Sequence, residues 1–154
     1  MDVVAKSEEQ SPRLRLGEFL PYRLFVVSNR ISRELAREYA QRFDLTIPQW
    51  RVVAVLGENG TLYADEICNI TEMDKVTVSR ALQVLETQRR IQRRRDPRDG
   101  RRAVVRLTTR GRGVYNEIVP RAIEYEQRLL DDLSEREIES LSRLLDKLGR
   151  RACA

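Results

Sequence analysis

The chain has 154 residues, of which 41% are hydrophobic and 34% are charged, a balance typical of a folded globular protein. It contains no histidine, which excludes catalytic triads and histidine-ligated zinc, and nothing singles out a catalytic pair of carboxylates. We therefore expect neither an enzyme nor a bound metal or cofactor. The chain shows no signal peptide and no apolar run of the roughly 18 residues that a membrane span needs, so we expect a cytoplasmic protein.

Positive charge is concentrated in one segment. Residues 89–112 hold eleven arginines and two aspartates, a net charge of +9, and the rest of the chain carries −4 because the total is only +5. Arginine forks onto phosphates and guanine edges, so this segment favours nucleic-acid binding. The alternative is an ordinary solvated face, for which mixed lysine and glutamate are more typical.

The N-terminal part of the chain predicts an arm followed by one long helix. Residues 1–16 are polar and lack a clear period, so we expect a flexible N-terminal arm. Pro21 suits a helix start, where its missing N–H costs nothing. From Tyr22 to Phe43 apolar side chains recur at mostly helical spacing, which predicts an amphipathic helix.

A second, shorter helix is predicted directly afterwards. Thr46 is a suitable N-cap for a helix at Pro48–Glu58, in which the proline occupies the first turn. Asn59-Gly60 should end this helix, and a very short strand is expected at residues 61–63.

The stretch "ADEICNITEMDKVTVSRALQVLETQ" predicts two short helices joined by a tight connector. They extend over about Ala64–Ile70 and Lys75–Gln88, and either Asp74 or Thr71 could cap the second. Two such helices followed by a basic strand are typical of a helix-turn-helix motif.

A β-hairpin is predicted within the arginine-rich segment. The stretches "IQRRRD" and "RAVVRLTT" read as its two arms, and the connecting Pro97-Arg98-Asp99-Gly100 has the chemistry of a tight turn. The hairpin would form an arginine-tipped wing beside the helix-turn-helix.

Two helices are predicted to close the chain. The first should begin after Gly113 and run to about Asp132, with a kink at Pro120. Ser134 should cap the last helix, which carries an apolar seam at heptad-like spacing, formed by Ile138, Leu141, Leu145 and Leu148. The fold class that follows is mostly α with a small β-hairpin wing.

The second short helix is the expected recognition helix. Val78, Leu82 and Leu85 share a face that should pack on the core and leave the opposite face for DNA. The residues expected to contact DNA are polar or cationic and lie on or beside that face or on the wing: Lys75, Thr77, Ser79, Arg80, Gln83, Arg95, Arg98 and Arg101.

Individual roles follow from the chemistry of these side chains. Lys75 would reach a phosphate, Arg80 a guanine and Gln83 an adenine. Arg98 at the wing tip is the best candidate to enter a minor groove. The alternative is an ordinary surface helix, where arginine and glutamine are common.

The element order and three of the motifs resemble the MarR family of bacterial winged-helix transcriptional regulators. "DPRDGRRAVVRLTTRG" is similar to the family's wing signature, "DKVTVSRAL" to its recognition helix and "LTIPQWRVV" to the start of its second helix. The resemblance extends from about Gly17 to Gly149. It implies a fold that consists of a winged helix-turn-helix lobe and a helical dimerisation region. It also implies that the lobe binds double-stranded DNA in a sequence-specific way.

The resemblance also implies a homodimer. Residues 17–154 would form a single domain, in which residues 17–47 and 114–150 supply the dimerisation helices and residues 48–113 the winged helix-turn-helix. The apolar seam of the last helix is compatible with this role, although it could instead pack within one chain. A two-fold dimer would bind an inverted-repeat operator with half-sites about one helical turn apart.

A small-molecule effector is a further implication of the resemblance. The family's pocket lies between the dimerisation helices and the winged lobe, and its ligands are aromatic, phenolic or aryl-CoA compounds. Candidate lining residues are Tyr22, Arg23, Phe25, Ser28, Asn29 and Trp50. The alternatives are simple core packing for Phe25 and Trp50 and a solvated surface for the arginine.

The function that follows is a DNA-binding transcriptional regulator, a repressor released by its effector. The alternative is a winged-helix module that binds a protein or an RNA and has no operator. Cys68 is expected to be a small buried thiol and Cys153 incidental, both reduced.

Overall fold

The computed structural model describes residues 13–97, 99 and 102–152. Its elements in chain order are α1 (Leu20–Phe43), α2 (Ile47–Asn59), β1 (Leu62–Tyr63), α3 (Ala64–Thr71), α4 (Lys75–Thr87), β2 (Ile91–Arg95), β3 (Ala103–Leu107), α5 (Thr109–Leu130) and α6 (Glu135–Ala152). The three strands form an antiparallel sheet in the order β1-β3-β2. The predicted mostly helical fold with a β-hairpin wing is therefore confirmed. The described residues divide into two compact units, the first ending at Glu34 and the second beginning at Leu35.

Side-chain caps explain where the helices of the winged lobe begin. The Thr46 hydroxyl accepts a hydrogen bond from the Gln49 N–H at 3.5 Å, and the Gln49 side chain accepts one from the Thr46 N–H at 2.9 Å. At α4, the Asp74 carboxylate accepts from the Thr77 N–H at 2.9 Å. Thr71, the other candidate cap, donates instead to the Ile67 carbonyl at 2.6 Å and so belongs to α3. The predicted cap at Thr46 is thus confirmed.

The second unit has one hydrophobic core. Helices α2, α3 and α4 pack on one another, and the sheet and α5 complete the enclosure. The fully buried side chains come from all these elements and from the end of α1: Tyr39, Val52, Val53, Leu56, Ile67, Val78, Leu82, Leu85, Ile91, Val105 and Ile118. Burial of a large apolar side chain contributes about 1.5–3 kcal/mol, so this cluster holds α4 in place.

Helix α5 begins earlier than the sequence indicates. It starts at Thr109, not after Gly113, because the Thr108 hydroxyl caps it by accepting from the Gly111 N–H at 3.1 Å. The two glycines suggest a break, but Gly111 is buried in the first turn and has no room for a side chain. The helix ends at Leu130, and Pro120 lies within it.

The last helix presents an apolar row. α6 begins directly after Ser134, whose N–H donates to the Glu137 carboxylate at 2.9 Å. None of its residues is buried within the chain. The large apolar side chains that it exposes are Leu141, Leu144, Leu145 and Leu148. None of the helices in the described residues is long and apolar enough to cross a membrane.

Candidate nucleic-acid interface

The structure separates α4 into a core face and a free face as its sequence pattern predicts. Val78, Leu82 and Leu85 are buried. The side chains expected to read DNA on this helix are exposed, apart from half-buried Thr77: Lys75, Ser79, Arg80 and Gln83. An exposed polar row on a helix whose other face is anchored can enter a groove without unfolding anything.

Thr77 is partly engaged in holding α4 together. Its hydroxyl donates to the Asp74 carboxylate at 2.6 Å, beside the backbone cap. Both hydrogen bonds hold the pKa of the Asp74 carboxyl below its usual value, and the one from the Thr77 hydroxyl has the larger effect. The N-terminus of α4 therefore carries a fixed negative charge that stabilises the helix.

Two shallow cavities flank α4. One, of about 190 Å³, is lined by Lys75, Ser79 and Arg93 among others. The other, of about 220 Å³, lies on the α2 side and is lined partly by Thr77 and Arg80. The structure thus brings Lys75 and Ser79 together with the first strand of the wing.

Arg93 is a cation at this surface that the sequence pattern did not single out. It lies two residues after buried Ile91 on β2, so its side chain is on the same face of the sheet, the one that meets the helices. Its Nε also pairs with the Glu86 carboxylate at 3.2 Å. The signal that could have identified it is the period of two beginning at Ile91, which places Arg93 and Arg95 on the same face.

Only one of the three wing arginines predicted to contact DNA lies within the described residues. Arg95 ends β2, is exposed and pairs with Ala103 in the register of the hairpin. Arg98 and Arg101 lie outside the described residues, so their predicted roles stay predictions.

A polar cluster ties the wing to the helix-turn-helix. The Tyr63 hydroxyl on β1 donates to the Asp96 carboxylate, which raises the pKa of Tyr63. Arg102 binds both carboxylate oxygens of Asp65, at 2.8 and 2.9 Å, and this bond lowers the pKa of Asp65. Asp96 and Arg102 are also joined by a backbone hydrogen bond of 2.9 Å, so the two ends of the wing tip are held together.

Several arginines of the basic segment bind the protein itself. Arg112 donates to the Gly57 carbonyl at 2.7 Å, and Arg90 is buried against carbonyls at the end of α1. With Arg93 and Arg102, they are held by intramolecular partners. Some arginines of residues 89–112 therefore stabilise the fold, and the others can present positive charge to a partner.

The candidate effector residues fall in both units. Tyr22, Arg23, Phe25, Ser28 and Asn29 are exposed on α1. A groove of about 270 Å³ is lined there by two of them, Phe25 and Asn29, together with Val26 and Arg33.

Trp50 belongs to the core of the second unit. It is only 8% exposed, and its ring lies 5.5 Å from that of Tyr39 and 6.4 Å from that of Tyr115. Burial raises the pKa of Tyr39 to about 12. The prediction that Cys68 is buried was wrong: its thiol is free and half-buried, and the residue lines the same cavity as Lys75.

Comparison with known proteins identifies this arrangement. A family model described as MarR family matches residues 43–102, which cover α2, the helix-turn-helix and most of the wing. The HTH-type transcriptional regulator YwoH of Bacillus subtilis is 31% identical over 113 residues, 73% of this chain and 82% of the relative. The HTH-type transcriptional repressor IacR of Pseudomonas putida is 27% identical over 131 residues, 85% of this chain and 78% of the relative.

A solved structure extends the likeness to the whole fold. MepR of S. aureus, determined in complex with DNA, superposes with a TM-score of 0.77 at 27% identity, over 86% of this chain and 98% of MepR. The predicted resemblance is confirmed, and with it the prediction of a regulator in place of an enzyme. The chain belongs to the MarR family and is a DNA-binding, winged-helix transcriptional regulator.

Proposed function

We infer that the chain is a repressor that binds an inverted-repeat operator as a homodimer and is released by a small aromatic compound. The observation that carries this function is the free face of α4. Ser79, Arg80 and Gln83 are exposed on a helix that is capped at Asp74 and anchored by its buried face. Such a helix is rigid enough for base readout.

The proposed contacts divide into reading and positioning. Arg80 would pair with a guanine and Gln83 with an adenine, while Ser79 and Thr77 would donate to phosphate or base. Lys75 and Arg93, which line one cavity, would contact the phosphates beside the groove. Arg95, Arg98 and Arg101 would carry the wing to the adjacent minor groove.

The apolar row of α6 supports the homodimer. Leu144 is 54% exposed, and Leu141, Leu145 and Leu148 are 39–47% exposed. An amphipathic helix with its apolar face in water is stabilised when a second copy covers that face. Residues 17–47 and 114–150 would supply the dimer interface and residues 48–113 the DNA-binding lobe. A two-fold dimer presents two equal α4 helices, so its operator would be an inverted repeat.

Repression is the mode of action that we propose. IacR, which resembles this chain over most of its length, is named a repressor. A dimer that covers a promoter excludes RNA polymerase through occupancy alone, whereas activation needs a further contact with the polymerase. The proposal therefore needs no surface beyond the DNA-binding one.

The groove on α1 supports an aromatic effector. Phe25 offers a ring, Asn29 a hydrogen-bonding amide and Arg33 a guanidinium that suits a carboxylate. Tyr22, Arg23 and Ser28 lie on the same exposed stretch of helix. An aromatic acid fits this combination of groups, and its preference for a non-binding form of the dimer would lower the affinity for DNA.

The operator is tested by selecting duplexes from a random pool and measuring fluorescence anisotropy at about 150 mM salt. We expect an inverted repeat bound about 10³-fold more tightly than a scrambled duplex, by a protein that light scattering shows to be dimeric. Equal affinity for both duplexes, together with tight binding to an RNA or a protein, would replace this function with that of an interaction module.

The effector is tested by adding phenolic and other aromatic acids to the same assay. We expect one of them to raise Kd for the operator at least tenfold, and Phe25→Ala to abolish that response without changing Kd in its absence. Val27→Ala is the matched control, because Val27 is an exposed apolar residue of α1 that does not line the groove. An unchanged Kd with every aromatic acid would contradict this part of the proposal.

A further inference from the structure

Arg90 is a charged side chain buried in the second unit, and it occupies the junction between α4 and β2. The residue is 6% exposed. Its N–H donates to the Leu85 carbonyl in the last turn of α4 at 2.8 Å, and its carbonyl accepts from the N–H of Thr108, the cap of α5, at 2.9 Å. The backbone of Arg90 is thus bonded to both helices that flank the wing.

The side chain of Arg90 reaches a third helix. Nη2 donates to the carbonyl of Phe43, the last residue of α1, and Nη1 donates to the Asp44 carbonyl at 3.5 Å. Asp44 has φ of 49°, so the backbone turns away at this point and leaves these carbonyls without helical partners. A cation at a helix C-terminus is favoured by the helix dipole. The guanidinium therefore caps α1.

A buried guanidinium is an unfavourable way to cap a helix if the cap serves stability alone. Among the described residues no carboxylate forms an ion pair with Arg90, and its Nε has no hydrogen-bond partner. Burial lowers the pKa of Arg90 and the nearby charge of Arg110 lowers it further, while the charge of Asp44 offsets this only in part. An apolar side chain of similar size would avoid the desolvation of a buried charge. What the guanidinium supplies, and an apolar side chain cannot, is a directional bond to α1.

The backbone around Arg90 is conformationally constrained. Arg89 has φ of 56°, a left-handed conformation, and its own carbonyl accepts from the Thr108 hydroxyl at 2.7 Å. A methyl group at Gly111 would overlap the Arg90 carbonyl oxygen. The end of α1, the end of α4 and the start of α5 consequently meet at one tightly packed residue.

We propose that Arg90 is a positioning residue for DNA binding, which fixes the end of α1 to the recognition helix and the wing through hydrogen bonds to the Phe43 and Asp44 carbonyls. Any shift of the end of α1 is then transmitted to the end of α4. The inference deepens the proposed function, because α1 is part of the proposed dimer interface and carries the proposed effector groove.

The first test compares Arg90→Met with Arg89→Met, which removes the same charge from the neighbouring exposed position. We expect Arg90→Met to remain folded and to lose about tenfold or more in affinity for the selected duplex, with its affinity for a scrambled duplex unchanged. Arg89→Met should change both affinities by the same factor. Arg90→Lys, which keeps a cation near the carbonyls, should restore part of the specific affinity. The proposal would be overturned if folded Arg90→Met bound the selected duplex as tightly as the parent protein does. It would also be overturned if the variant lost the same factor in affinity for the selected and the scrambled duplex.

The second test uses the parent protein and any duplex that it binds, so it remains decisive if Arg90→Met fails to fold or if no operator is found. Amide hydrogen exchange is measured with and without saturating DNA. We expect DNA to slow exchange in the last turn of α1 as well as in α4. Protection of α4 with unchanged exchange at residues 40–44 would contradict the coupling, even where DNA binding itself is confirmed.

Discussion

The guanidinium of Arg102 lies over the ring of Tyr63, with its Cζ 3.6 Å from the ring centroid. The same guanidinium binds Asp65 of α3, while the Tyr63 hydroxyl binds Asp96 at the other end of the wing tip. One tyrosine of a two-residue strand therefore contacts both Asp96, which follows β2, and Arg102, which precedes β3.

Tyr63→Phe should loosen the wing without unfolding the protein. The ring remains under Arg102, but the hydrogen bond from the Tyr63 hydroxyl to the Asp96 carboxylate is lost. Because one hydrogen bond makes only a small net contribution to stability, we expect the variant to remain folded with at most a small decrease in Tm. Amide exchange in β2 and β3 should accelerate, and Kd for the selected duplex should rise about threefold, roughly half a tenfold step on the free-energy scale. Asn59→Ala, which removes an exposed side-chain hydrogen bond within α2, is the control and should change neither quantity.

The cap of α4 predicts a pH dependence of stability. The pKa of Asp74 is held below its usual value by Thr77, so the cap's contribution is complete above the unfolded pKa of about 3.9 and disappears as the pH falls through the lower folded value. Asp74→Asn removes this titration while keeping an acceptor.

We therefore expect parent and Asp74→Asn to differ in Tm at pH 7 and to converge as the pH falls through the lowered folded-state pKa of Asp74, because the carboxyl then becomes protonated in both states. Thermal melts followed by circular dichroism measure the two midpoints. A difference in Tm that does not shrink as the pH is lowered from 7 through the acid range would show that the charge of Asp74 is not what caps α4.

Two glycines of α5 should respond in opposite directions to the same substitution. A methyl group at Gly111 meets the Arg90 carbonyl, a backbone atom that cannot move aside, whereas a methyl group at Gly113 meets nothing within 4 Å. Gly111→Ala should cost about 1–3 kcal/mol through overpacking. Gly113→Ala should gain about 0.5–1 kcal/mol, because alanine suits a helix interior better than glycine. Urea denaturation measures both, and a stable Gly111→Ala would mean that α5 does not start at Thr109.

Base readout and phosphate contact can be separated on α4. Arg80→Ala should cost about 1–3 kcal/mol at one base pair and relax the preference there. Lys75→Ala should weaken binding to all sequences and reduce the slope of log K against log salt by about 0.9.

Anisotropy against single-base variants of the selected duplex, at several salt concentrations, measures both effects. Arg128→Ala is the control for lost charge, since Arg128 of α5 forms an exposed ion pair with Glu38 of α1. A uniform loss across all duplexes for Arg80→Ala would assign that residue to phosphate.

Local patterns predicted the elements of the lobe. The apolar spacing of Val78, Leu82 and Leu85 and the threonine before Pro48 report interactions within a few residues, and these are the interactions that the structure shows. The helix-turn-helix and the free face of α4 could therefore be predicted from the amino-acid sequence alone.

The position and the partners of each arginine side chain could not be predicted in this way. Arg90 and Arg93 lie three residues apart in the same basic run, yet one is buried against α1 and the other lines a surface cavity. Their partners, Phe43 and Glu86, are set by tertiary packing. The predicted start of α5 was wrong for the same reason, because Gly111 reports a contact with Arg90 instead of a break in the helix.

The chain has a single tryptophan, Trp50, and it lies between Tyr39 of α1 and Tyr115 of α5. Its emission should be blue-shifted, because the indole is buried, and tyrosine excitation should reach it by energy transfer over these short distances. None of the proposed substitutions alters this trio. Intrinsic fluorescence thus provides a label-free check that a variant which fails to bind DNA has kept its core.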